Sequence, residues 1–368
     1  MDCWTPDHVP IISTLANNFA LFDQYHASVP GPTDVNRLYV HSATSHGSGT
    51  NSIPTIIMGY PQKSLYELVD QAGYDWHAYF GEVPDPLFFQ YTRQPQFWDR
   101  FHLMEKFYTT VAAGNLPTLT FLSPNYFGIA DVLANDQHPA HAVSAGELLM
   151  KNVYEALRAS PLWEETALLL TYDEHGGLYD HVVPPSKGVP NPDGRNSVDP
   201  PFTFERLGIR IPTILISPWV DAQVVHDPTI NLPHPTSKFE HSSLIASLTR
   251  MWGLHGPLTK RDAWAAPWDH LFTLRSAPRK DCPLTLPPIY KAGMDAYLEG
   301  KKLRPEHKQP LTDLHRELIQ LGNAAAGLHP NNALDSITSE EAGGIYLKNL
   351  MLNWIEKNRL VHEKQNKH

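Results

Sequence analysis

The sequence predicts an α/β protein: a central, mostly parallel sheet between helices, followed by a helical C-terminal extension. Three observations lead there. Short apolar runs alternate with amphipathic segments over residues 1–274, the pattern of strands separated by helices. The run Thr166 to Tyr172 is almost continuously apolar, as in a strand covered on both faces. Beyond residue 274 the strand-like runs stop and segments of helical spacing take over.

In chain order, the first clear helix is Ser64 to Ala72. Ser64 and Glu67 stand in capping-box spacing, Leu65, Leu68, Val69 and Ala72 share a face, and Gly73 ends it. Tyr74 to Phe80 and Leu116 to Leu122 read as strands, the second stopped by Ser123-Pro124. Gly146 to Ala159 is a helix carrying Leu149, Val153 and Leu157. The strand Thr166 to Tyr172 follows, then a polar loop from Pro184 to Pro201 with six prolines. Loops of that length inside a domain tend to be functional. Ile211 to Ser217 is a further strand. In the extension, Leu311, Leu314, Leu318 and Leu321 repeat at helical spacing, as do Leu347, Leu350, Met351 and Trp354. The division is therefore residues 1–274 as the main domain and 275–368 as a helical extension docked on it. The apolar faces of the extension read as core, with a membrane-contacting face as the alternative.

Composition narrows the function. Of the 368 residues, 42% are hydrophobic and 18% charged, with a formal net charge of −10. That is a folded, mildly acidic chain, which argues against nucleic acid as a partner because phosphate backbones are held by Lys and Arg. Cys3 and Cys282 are the two cysteines, too few for a disulfide framework or a zinc site of their own. No run of roughly 18 apolar residues predicts a transmembrane helix. The opening Met1 to His8 lacks the basic-then-apolar pattern of a secretory signal. A soluble chain, cytoplasmic or peripheral to a membrane, is the expectation, or a secreted one if a signal precedes this sequence. The 33 prolines imply ordered loops, and the 20 histidines suggest proton transfer, metal ligation or phosphate contacts.

Five segments carry candidate chemistry. In Thr171 to Val182, Asp173 and Glu174 lie at the C-terminal end of a strand, where open α/β sheets bind ligands. Gly176 and Gly177 follow, and His175 and His181 flank them. Adjacent carboxylates beside histidines suit a hard or borderline metal, or simply a strand-ending turn. In Ser28 to Arg37, Thr33 stands on a Pro/Gly-rich turn. Alone it is first a turn residue and second a nucleophile; Arg37 either supports the turn or binds phosphate. The third segment, Asn135 to His141, holds His138 extended ahead of a proline. The fourth, Gly208 to Pro212, is architectural, and the fifth, Phe239 to Leu244, places His241 at the start of a helix.

Together these segments resemble the phosphoesterase family that contains the non-specific phospholipases C of plants and bacteria and the related acid phosphatases. Phe22 to Gly47, including Ala27-Ser28-Val29-Pro30-Gly31-Pro32-Thr33, is similar to the plant phospholipase form. Asp173 to Val182 is the most specific match, and the resemblance covers nearly the whole chain. It implies an alkaline-phosphatase-like fold and hydrolysis of glycerophospholipids at the glycerol–phosphate ester, giving diacylglycerol and a phosphorylated head group. By motif position Thr33 is the nucleophile, Asn36 and Arg37 bind phosphate, and Asp173 and Glu174 hold a metal or orient the phosphoryl group. His138, His181 and His241 are candidates to stabilise phosphoryl oxygens or protonate the leaving alkoxide. The implied cofactor is a divalent metal ion of unspecified identity. The implied partner is phospholipid at a membrane surface, met peripherally. The alternatives are a phosphomonoesterase on the same residues, or an impaired form that only binds lipid.

The sequence departs from the family in three places. The Glu-Asn-Arg-Ser-Phe-Asp-His stretch that normally closes the first strand is not found, which implies a missing central strand and weak or no activity for the sequence as given. Val35 stands where a proline usually precedes the Asn, and Ala142 where an Asp is usual.

Overall fold

The computed structural model describes residues 3–51, 53–130, 132–139, 141–295 and 309–366. The helices are α1 (Pro10–Asn18), α2 (Thr33–Ser42), α3 (Ile53–Met58), α4 (Leu65–Gln71), α5 (Met104–Ala112), α6 (Val143–Ala159), α7 (Ser242–Trp252), α8 (Lys260–Trp264), α9 (Asp313–Ala325) and α10 (Glu340–Gln365). The strands are β1 (Ala20–Phe22), β2 (Tyr25–His26), β3 (Trp76–Phe80), β4 (Phe101–Leu103), β5 (Leu119–Leu122), β6 (Leu168–Thr171), β7 (Ser197–Val198), β8 (Pro201–Phe202), β9 (Thr213–Ile216), β10 (Gln223–Val225) and β11 (Phe239–Glu240).

The predicted α/β architecture is present, with the central strands split among the described residues into two sheets. One runs β10-β1-β9-β6 and the other β4-β3-β5. The three-stranded sheet is parallel throughout. In the other, β1 and β10 are parallel but β9 runs antiparallel to both β1 and β6, a direction that an apolar run in the sequence does not encode. Side chains alternate across the strands as a period of two requires. Leu168, Leu170, Ile214 and Ile216 pack with Tyr79, α1, α5 and α6 on one face. Leu169 and Leu215 turn to the opposite cluster with Phe22 and Phe239.

Two local expectations are corrected. β6 is half-buried along its length rather than covered like β9, whose four residues are all buried. The reason is pairing: among the described residues β6 bonds only to β9, and β5 only to β3. The capping box expected at Ser64 does not form; Ser64 occupies the N-cap, but its hydroxyl is buried without a partner among the described residues. Such boxes close instead at Thr259 with Asp262 and at Thr312 with His315.

The extension packs into the main core. Leu314, Leu318, Leu347, Met351 and Trp354 are buried with Phe80, Phe88 and Phe101 in one cluster, so the apolar stripes of α9 and α10 are core faces. The loop from Pro184 to Pro201 is tied down through Leu207 N to Pro185 O (2.9 Å), Lys260 N to Pro192 O (2.9 Å) and Thr44 Oγ1 to Asp193 (2.9 Å). It ends in the small β7–β8 hairpin.

Candidate active site

Three strand ends and one helix start define the site. Thr33 is the first residue of α2, behind Pro32 in extended conformation, and is 7% exposed. The preceding turn is held from several directions. The Asn36 side-chain amide donates to Gly31 O (2.9 Å), and its Oδ1 accepts from Val29 N (3.1 Å). Arg261, fully buried, donates to Ser28 O at 2.9 Å and lies over the Tyr39 ring. The Ser28 hydroxyl donates to the buried carboxylate of Glu240. Behind the turn runs the Gly208–Pro212 stretch: Gly208 N donates to Ala27 O (2.8 Å), and a Cβ at Gly208 would lie 2.5 Å from Val29 O. Three of the motif segments are thus one construction around Thr33.

Four residues on, and so on the same face of α2, Arg37 bridges the ends of three strands. Its Nε donates to Asp173 Oδ2 (3.1 Å), just beyond β6, and its Nη1 to Asp85 (3.1 Å), in the loop after β3. It also meets the hydroxyl of Tyr126, beyond β5. Burial raises the Asp85 carboxyl, but Arg37 and His41 more than offset it and hold it below the usual carboxylate range.

Glu174 stands beside Asp173. Its amide donates to Asp173 Oδ1 (2.9 Å), and its own carboxylate accepts from Gly176 N (2.8 Å). Burial, then the Asp173 charge, pushes its carboxyl up. His241 is 1% exposed and sits immediately before α7. Its Nε2 lies 2.7 Å from Asp173 O. Because a carbonyl only accepts, Nε2 carries the proton and Nδ1 is a bare acceptor, buried with no partner among the described residues. Burial lowers its pKa, so the ring is neutral at physiological pH.

The structure therefore joins Arg37, Asp173, Glu174 and His241 by direct bonds, with Thr33 one turn before Arg37 on α2. Asn36 shapes the turn with the side chain that the sequence assigns to phosphate. His138 is half-buried, bonds through Nδ1 to Pro139 O (3.1 Å), and influences the Glu174 carboxyl. In its segment the buried imidazole is His141, 2.6 Å from Asp136. His181 faces solvent, its side chain 80% exposed. Its neighbour Asp180 is the anchor of that loop, gripped by Arg210 at 2.7 and 2.9 Å. Residues the sequence did not single out are Asp85, Tyr126, Glu240 and Arg261. Only Glu240 carried a local signal, its place beside His241.

A metal centre was expected on Asp173 and Glu174. Among the described residues no three His, Cys, Asp or Glu side chains gather to hold an ion, and Arg37 already lies on Asp173. These residues alone do not fit a divalent metal.

A carboxylate–guanidinium cluster at strand ends, beside a hydroxyl at a helix N-terminus, is an arrangement for handling phosphoryl groups. The chain belongs to the phosphoesterase family, whose pattern matches residues 1–255. Non-specific phospholipase C1 of Arabidopsis thaliana is 43% identical over 344 residues, 92% of this chain and 62% of that protein. Non-specific phospholipase C4 of the same plant is 38% identical over 99% of this chain and 67% of its own length. Phospholipase C A of Mycobacterium tuberculosis is 27% identical over 72% and 54%. The chain thus spans about three fifths of the first of these relatives. Among solved structures, a protein of the alkaline phosphatase superfamily from Vibrio parahaemolyticus superposes with a TM-score of 0.41 at 10% identity, over 67% of this chain and 60% of the other.

Proposed function

We propose that the chain hydrolyses glycerophospholipids at the glycerol–phosphate ester, releasing diacylglycerol and a phosphorylated head group, with Thr33 as nucleophile. The observation that carries this reading is the shared face of Thr33 and Arg37 on α2, with Arg37 joined to Asp173 and Asp85 (3.1 Å each). The helix N-terminus favours the negative charge that develops on a phosphoryl group.

The Thr33 oxygen attacks phosphorus while its proton passes to a neutral imidazole. His241 suits that role best, because its Nδ1 has no partner among the described residues. The bond from phosphorus to the glycerol oxygen breaks, and that oxygen takes a proton and departs as diacylglycerol. Water then attacks the phosphothreonine, releasing the phosphorylated head group and restoring the hydroxyl. Arg37 balances the phosphoryl charge and keeps Asp173 in place. Asn36 acts by shaping the turn. His138, near Glu174, is the second candidate for protonating the leaving alkoxide; His181 would act only from the solvent side. A divalent ion on Asp173 and Glu174 would need a further ligand from beyond the described residues. The partner is phospholipid met at a membrane surface; among the described residues no helix is long and apolar enough to cross a membrane.

The test is diacylglycerol release from phosphatidylcholine vesicles by the purified chain and by Thr33→Ala, with and without a chelator, and p-nitrophenyl phosphate as a monoester control. Release that falls by roughly a thousandfold or more in the variant supports the proposal. Equal turnover in the variant sinks the nucleophile assignment. Preference for the monoester moves the reading to a phosphomonoesterase. If both proteins are silent, a form extended by a strand ending Glu-Asn-Arg-Ser-Phe-Asp-His is assayed. Silence there too, with vesicle binding intact, moves the reading to lipid binding.

A further inference from the structure

A cleft of about 400 Å³ opens at the far end of α2, lined by Thr44, His46, Gln62, Lys63, Asp193 and Arg195 among others. Ser42 also lines it, nine residues along the helix from Thr33. At ~1.5 Å per residue that is roughly 14 Å from the nucleophile, so the cleft is a separate place.

Its charge is not balanced. Asp193 is met by Arg195 Nη1 (3.1 Å) and Thr44 Oγ1 (2.9 Å). Lys63 makes no ion pair or hydrogen bond among the described residues. Arg195 keeps its Nε and Nη2 without partners there, so two cations face one carboxylate. The backbone is shaped to the same place. His46 is a non-glycine residue in the left-handed region (φ 56°), conformational strain of a kind that clusters at binding sites. Gly47 follows at φ 84°, where a Cβ would come within 3.2 Å of the Arg195 Cβ.

We propose that this cleft is a second oxyanion site that binds a phosphomonoester-type anion. Lys63 and Arg195 supply the charge. Their N–H donors, unpartnered among the described residues apart from the Arg195 contact to Asp193, match an anion with several acceptor oxygens, as a phosphomonoester presents. The cleft is wired to the Thr33 turn through one loop: His46 N bonds Thr44 Oγ1 (2.9 Å), and the same loop reaches Asn51, whose Oδ1 accepts from Asp34 N (3.1 Å).

The experiment is calorimetric titration of inorganic phosphate into the full chain and into Lys63→Gln, Arg195→Gln and Lys63→Arg. Phosphate affinity should drop by about tenfold or more in each glutamine variant, the loss of one charge-assisted contact. It should persist in Lys63→Arg. Unchanged phosphate binding in both glutamine variants, with unaltered melting profiles, overturns the proposal. So does loss of binding in Lys63→Arg together with an unfolded melting profile in the glutamine variants. Phosphatidylcholine vesicles with and without phosphatidic acid separate the two sources of the anion. Lys63-dependent binding to the phosphatidic acid vesicles, displaced by free phosphate, assigns a lipid head group. Vesicle binding indifferent to Lys63, with phosphate binding lost, assigns a free phosphomonoester.

Discussion

Asp34, buried, and Arg37, half-buried, stand three residues apart on α2 and meet opposite fates. Arg37 has two carboxylates and a phenol around it. Asp34 has burial and the nearby Glu317 carboxylate against it, with Arg37 only partly compensating, and its carboxyl is pushed up to about 8. An unfolded aspartate titrates near ~3.9, so the fold binds this proton more tightly than the unfolded chain. The resulting stability is fully present below roughly pH 4 and is lost as pH rises towards about 8. Asp34→Asn should therefore match the parent in urea melts in acid and exceed it in mild alkali, the gap opening by no more than about 1.4 kcal/mol per pH unit. Equal midpoints at both ends of the range contradict this. Removing Arg37 has the reverse consequence. Asp85, its side chain 4% exposed, would keep His41 and the Ser123 and Tyr126 hydroxyls but lose its guanidinium, and loss of one partner of a buried pair costs about 3–5 kcal/mol. Arg37→Ala should melt well below the parent, whereas Thr33→Ala should not. At this scale the sequence exposed Thr33, Arg37 and Asp173, because each sits in a contiguous motif. Asp85 and Tyr126 stayed hidden, being 48 and 89 residues from Arg37 with no local pattern of their own.

Elements were legible where apolar spacing runs through them and less so where polar chemistry ends them. The helix read over 345–355 extends from Glu340 to Gln365. Its start is set by the Ser339 cap, and its last turns are charged and carry no apolar repeat. The stripe itself was read correctly: Leu347, Met351 and Trp354 are buried against the main domain. Trp354, whose ring meets Phe101 edge-on at 5.3 Å, makes the test. Trp354→Ala should cost about 3–5 kcal/mol in chemical denaturation, whereas an indifferent melt would mean that α10 is not part of the folded core. The turn before α2 depends on a backbone contact that no periodicity announces. Gly208 lies so close to Val29 O that Gly208→Ala must move one segment or the other, and the bonds between Ala27 and Gly208–Ile209 oppose the shift. That variant should lose roughly 1–3 kcal/mol.

For the whole molecule, strand-forming sequence was easier to read than strand partners. The runs at 74–80, 116–122, 166–172 and 211–217 all contain strands, trimmed at their ends to β3, β5, β6 and β9. An apolar run reports that a strand will be covered, but not by what or in which direction, and so β6 was expected to be enclosed. Both β5 and β6 border the cluster under α1, α5 and α6, yet each has one bonded neighbour among the described residues. The amides of β5 give a direct reading of that open edge. Leu119 N and Ser123 N donate to β3 or its flank, at 3.0 and 2.9 Å. Alternation along a parallel strand then turns the amides of Thr120 and Leu122 the other way. Hydrogen exchange should find Thr120 and Leu122 among the fastest strand amides. The amides of β9, flanked on both sides by β1 and β6 and buried throughout, should be among the slowest. If Thr120 and Leu122 are instead as protected as Ile214, the edge is covered in solution, and exchange repeated at lower protein concentration will tell a second copy from a segment of the same chain. An uncovered edge of Leu, Thr and Phe is also a template for pairing with other chains, so the same amides should gain protection as the protein begins to self-associate.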